Sequence, residues 1–182
     1  VVVARQLTDD VLNALKQGGK VLLMPLEEDC KEVTVGGLFQ TDYWNYRMFK
    51  SICDRIKKPA SPGTLGILTN PEHPVFDDFP TEYHTNWQWY PIIKHSYPLI
   101  LDGMPKEYRP NVEGSKLLLC MSDLEAVRDT PEGLQFYAAL LAYMNSSDFK
   151  PSTSLSVESF KNLFETGVRK EGIKVLDNIS YE

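Results

Sequence analysis

A chain of 182 residues, 42% hydrophobic and 24% charged, is long enough for one ordinary domain with a proper core and has the make-up of a soluble globular protein. Its net charge of -6 repels a phosphate backbone, and no apolar run approaches the roughly 20 residues of a membrane span, so neither nucleic acid nor membrane is an expected partner. The three cysteines, Cys30, Cys53 and Cys120, have neither CxxC nor metal-ligand spacing, which argues against a disulfide scaffold and leaves no metal or cofactor to expect.

The chain opens on "VVVARQ", without initiator Met or signal-peptide pattern, and reads as a piece of something longer. "LTDDVLNALKQGGKVLLMPL" follows as a helix-to-strand unit. Thr8 is the expected cap, Asp9 and Asp10 favour the positive end of the dipole, and Val11, Leu12 and Leu15 make the apolar face. Gly18-Gly19 supplies a left-handed exit, and Lys20 to Leu26 reads as a strand apolar on both sides, suited to the middle of a parallel sheet covered by helices. "DYWNYRMFKSICDRIKK" carries Trp44, Met48, Phe49, Ile52 and Ile56 at helical spacing. Its basic residues Arg47, Lys50, Arg55, Lys57 and Lys58 read as a solvated face.

Thr64 to Thr69 is expected to be a second buried strand, "NPEHPVFDDFP" a loop with short helical turns, "YPLILD" a third strand and "GSKLLLCMSD" a fourth. "DTPEGLQFYAALLAYMNS" has the clearest helix start, with Thr130 as cap, Pro131 first and Glu132 in the opening turn. Its expected core stripe is Leu134, Tyr137, Ala138, Leu141 and Met144. Residues 1–150 then form an α/β domain, and 151–182 a linker, a last amphipathic helix ending near Gly167, and a tail leading out. Helices alternating with short apolar strands predict an α/β sandwich with a mostly parallel sheet, whose ligands sit beyond the carboxyl ends of the strands.

Two readings compete for "EYHTNWQWYP", 82–91. As a strand, Trp87 and Trp89 share a face with Thr85. With Tyr83 they would make a sugar-stacking platform, with Asn86 and Gln88 for hydroxyls and His84 beside them. As a helix capped by Asn86, the two tryptophans point about 200° apart, and only Trp89 joins a core stripe with Tyr90 and Ile93. Pro91 near the start favours the helix, making the stretch half core and half docking surface.

No G-x-C-x-G or G-x-S-x-G elbow occurs to hold a nucleophile. Cys120 follows a strand, but "LLLCMSD" has no glycine for the strained turn, so it reads as a buried apolar residue. Cys30 lies among carboxylates that would raise its thiol pKa, and Cys53 lies on the apolar side of a helix. His73, His84 and His95 are scattered, His73 suiting a turn and His95 a helix end. Asp123, at a strand end, is the best-placed carboxylate for glycoside chemistry, although the same position suits a helix cap. "TVGGLF" lacks the Lys-Ser/Thr of a phosphate loop.

Five stretches in order, "GGKVLLMP", "TVGGLFQTDYWNYRMFK", "GTLGILTNPEHPVFDDFPTEYHTNWQWYPIIKHS", "LILDGMPKEYRP" and "GSKLLLCMSDLEAVRDTPEGLQFYAALLAYMNS", carry a resemblance. The region from Leu7 to Phe149 resembles the C-terminal part of family 2 glycoside hydrolases, of the β-galactosidase-like, sugar-binding-domain type of Bacteroidetes. The resemblance implies a flavodoxin-like fold of the class I glutamine-amidotransferase type, a three-layer sandwich that has lost its Cys-His-Glu machinery. The two catalytic glutamates would belong to a separate upstream barrel. The implied role is accessory, with the barrel and other domains of the parent chain, a glycan or a second copy as partners, and a periplasmic or secreted location. One departure is that Pro110 runs almost directly into "NVEGSKLLLC", so a segment between 110 and 111 is expected to be deleted or missing.

Overall fold

The computed structural model describes residues 1–37, 39, 45–57, 67–100, 116–151 and 157–164. Its sheet has three parallel strands in the order β1-β2-β3: β1 (Val2–Ala4), β2 (Val21–Leu23) and β3 (Leu117–Leu119). Val2 pairs with Val21, and Val21 in turn with Leu117, so β2 is the central strand. All three of its residues are buried, as a strand apolar on both sides requires. The "VVVARQ" opening, to which the sequence reading assigned no element, supplies an edge strand.

Alternation along β2 feeds two cores. Leu22, with Met24 just beyond, faces Trp89, Ile92 and Ile93 of one helical stretch and Phe136, Leu140 and Met144 of another. Val21 and Leu23 face Val11, Phe160 and Leu163 on the opposite side. Helices therefore cover both faces of the sheet. The first, α1 (Asp9–Lys16), starts where Thr8 accepts a hydrogen bond from the Val11 amide at 3.4 Å, and the chain leaves it through Gly18 at φ 82°. The helices that follow are α2 (Glu27–Cys30), α3 (Asn45–Arg55), α4 (Tyr90–Lys94), α5 (Pro131–Asn145) and α6 (Val157–Asn162). Phe160 of α6 packs in the same cluster as Ala4, Val21 and Leu23.

The expected strands need correction. Residues 64–66 lie outside the described residues, and 67–69 are no buried strand: Leu68 makes a single antiparallel bridge to His84 and is 92% exposed. "YPLILD" does not join the sheet over its described residues. Leu99 instead bridges Thr34 antiparallel, and the Tyr97 amide donates to the Met121 carbonyl at 2.8 Å. Of the apolar residues spaced along the expected helix, Met48 on α3 and Ile56 just past its end are exposed, while Trp44 and the Phe49 side chain lie outside the described residues.

The start of α5 is as expected, with Thr130 Oγ1 accepting from the Gly133 amide at 3.1 Å. Its buried face is not. Gly133, Phe136, Ala139, Leu140 and Met144 point inward, whereas Leu134 and Ala138 are exposed. The helix is apolar nearly all round, so spacing alone does not single out a face, and the packing of Phe136 against Trp89 and Phe79 selects one.

Candidate functional site

The segments that follow β1, β2 and β3 carry Arg5, Pro25 and Asp123, at the edge where parallel α/β sheets take ligands. Arg5 Nη1 donates to Asp123 Oδ1 at 2.6 Å, tying the two edge strands together across the end of β2. That bond holds the Asp123 carboxyl below the ordinary aspartate range, with burial opposing, and raises Arg5 in turn. Beside them the Tyr97 hydroxyl donates to the Pro25 carbonyl, and burial keeps its phenol protonated well above the usual range.

Asp123 is depressed only in the fold, so its contribution to stability is present above the unfolded aspartate pKa and is lost as pH falls through the lower folded value. Both side chains remain about three-tenths exposed, at 27% and 32%, which limits the pair to about 1 kcal/mol or less. Asp123→Asn is expected to lower neutral-pH stability by about that amount. In urea titrations the gap to wild type should close below about pH 4, and a gap undiminished near pH 2 would contradict the pairing.

On the α1/α6 side of this edge lies a cavity of about 380 Å³, with Leu23 and Phe164 among its apolar walls and Arg5, Gln6, Asp29 and Lys161 among its polar ones. Gln6 Nε2 donates to Asp29 Oδ2 at 2.9 Å, bridging the loop after β1 to α2. Sequence reasoning named only Asp123 here. Arg5 and Gln6 become visible once "VVVA" is read as a strand, because the polar residues that end a buried strand fall at its ligand edge. Lys161 has no such signal.

The other expected site residues divide. Trp89 is 1% exposed, its Nε1 donating to Thr81 Oγ1 at 2.8 Å, while Trp87 is 69% exposed. The two-ring sugar platform therefore does not form, because residues 87–89 are a 3₁₀ turn leading into α4 and not a strand. Asn86 caps that turn, accepting from the Gln88 amide at 3.2 Å, and Gln88 Nε2 donates to the Pro80 carbonyl at 2.8 Å, so both amides serve the local backbone. Trp87 stands with Phe39, 5.5 Å away, and Tyr90, 6.0 Å away, as an aromatic surface group. Tyr83 is exposed, and His84 lies 3.7 Å from the Glu82 carboxylate in solvent. His73 Nδ1 accepts from the Val75 amide and His95 Nδ1 meets the Pro91 carbonyl at 2.9 Å, so each serves a helical turn. Among the described residues no group of three or more His, Cys, Asp and Glu side chains is placed to hold a metal ion.

Cys120, just past β3, is buried, and burial pushes its thiol up to about 11. Cys30 is buried and raised for the same reason, its Sγ donating to the Leu26 carbonyl at 3.2 Å. Only Cys53 is partly accessible. Native-state alkylation with iodoacetamide near pH 8 is expected to label Cys53 first and the other two only on unfolding. Rapid labelling of Cys120 in the folded protein would contradict its placement.

Among the described residues no helix is long and apolar enough to cross a membrane. A family model described as "Domain of unknown function (DUF8487)" matches residues 2–114 and 111–165, and the chain belongs to that family. No curated protein matches it.

Proposed function

We propose that this DUF8487 member is a noncatalytic accessory domain of a β-galactosidase-like family 2 glycoside hydrolase, a scaffold that presents Trp87 to a neighbouring domain or a second copy. The observation that carries the reading is the exposed pair Trp87 and Tyr90, with Trp87 resting on the partly buried Phe39 at the margin of the larger core. Large rings left in solvent are the usual anchors of protein interfaces, where Trp and Tyr are enriched.

The finer fold assignment, flavodoxin-like and of the class I glutamine-amidotransferase type, draws support from the parallel sheet and its helices on both faces. In that fold a nucleophile would follow a strand. Cys120 does so, but its thiol is buried and held protonated, which favours an accessory role over a stand-alone hydrolase. A carbohydrate-binding role has less support, because Trp89 is in the core and Asn86 and Gln88 are committed to backbone atoms. The proposal carries with it a periplasmic or secreted location and a catalytic barrel as the principal partner.

The purified chain is expected to fold and to leave aryl β-galactosides uncleaved. Turnover that persists through repurification would overturn the reading.

A further inference from the structure

We infer that the cavity at the carboxyl edge of the sheet is a binding site for a small monocarboxylate with an apolar body, taken between Arg5 and Lys161. The inference is independent of the accessory role. Arg5 spends one donor, Nη1, on Asp123, so most of the five N–H groups of its guanidinium have no partner among the described residues. The ammonium of Lys161, a residue exposed on α6, has neither ion pair nor hydrogen bond among the described residues. These cations border walls that include Leu7, Leu23 and Phe164, so the site pairs a charged rim with hydrocarbon. A guanidinium fork and an ammonium are the donors a carboxylate takes, and the apolar walls suit the remainder of such a molecule.

The charge balance selects among anions. Asp29 lines the same cavity, Asp123 stands on Arg5 and Glu125 acts on Arg5 as well, so the two cations carry no surplus of positive charge. A single carboxylate is met by the remaining guanidinium and ammonium donors, whereas a phosphate dianion doubles the repulsion from the neighbouring carboxylates. A volume of about 380 Å³ fits a compact molecule of this kind.

The test is titration of the ¹⁵N-labelled chain with 3-phenylpropanoate, its neutral amide, and inorganic phosphate. The expected result is saturable shifts of the Gln6, Leu7 and Phe164 amides with the acid, absent with the amide and with phosphate. Lys161→Met should weaken binding about 10-fold or more, the loss of one charge-assisted contact, and Lys161→Arg should largely retain it. Lys161 is at the surface, so neither variant threatens the fold. No saturable shift up to about 10 mM, equal binding of acid and amide, preference for phosphate, or an unaffected Lys161→Met variant would each overturn the site.

Discussion

Trp89→Ala is expected to remove about 3–5 kcal/mol of stability, against less than about 1 kcal/mol for Trp87→Ala, two positions away. Trp89 sits among Phe79 at 5.1 Å, Phe136 at 5.1 Å and Phe76 at 5.9 Å, joining the turn at 74–76 and α5 through one ring. Its truncation empties the centre of the larger core and leaves the Thr81 hydroxyl without its indole partner. Trp87 keeps 69% of its surface in water and meets the Phe39 and Tyr90 rings, so little burial is lost with it. Because domains of this size are stable by only about 5–15 kcal/mol, the first variant should show a much lower urea midpoint, while the second should unfold near wild type. Equal losses would contradict the division between core and surface.

Gly133→Ala is the second large effect, about 2 kcal/mol of destabilisation, and two opposing contributions decide it. Within a helix alanine is favoured over glycine by about 1 kcal/mol, so propensity alone predicts a gain. Gly133 is packed too closely for that. An added Cβ would lie 2.2 Å from the Val127 carbonyl oxygen and 2.7 Å from Val127 Cγ2. The oxygen is not free to retreat, since it accepts from the Thr130 amide at 3.0 Å and from Thr130 Oγ1 at 2.7 Å. Thr130 is itself the cap of α5, so relief of the clash would loosen the helix start. Thermal unfolding of Gly133→Ala should therefore show a lower Tm, and an unchanged or higher one would mean that the close approach is absent.

Much of the fold was legible because the signals were local. Thr8, Asn86 and Thr130 lie one residue before the turns they cap, and β2 is apolar on both faces in a way that only a covered central strand explains. What escaped was decided at long range. The Val2–Ala4 strand is three residues long and half exposed, and its identity comes from pairing with β2. The buried face of α5 comes from where Phe136 meets Trp89, and the isolated bridges of Leu68 and Leu99 come from partners 16 and 65 residues away, at His84 and Thr34.

The candidate site follows the same division. Asp123 was accessible to sequence reasoning as the end of an apolar strand, but its partner Arg5 lies 118 residues away and the Gln6–Asp29 bridge spans 23. Only the parallel ordering of the three strands brings these side chains to one edge. In "EYHTNWQWYP" the choice between strand and turn was open to local reasoning, because Asn86 and Pro91 both favour a helical start, and the structure places Trp89 in the core and Trp87 outside.

The proposed accessory role rests most directly on Trp87 meeting a partner domain. Calorimetric titration of the chain into the separately purified catalytic barrel of the proposed parent glycoside hydrolase measures this. The account predicts saturable binding that Trp87→Ala weakens about 10-fold or more while the fold stays intact. Absence of binding by the wild-type chain, or equal binding by Trp87→Ala, would contradict it.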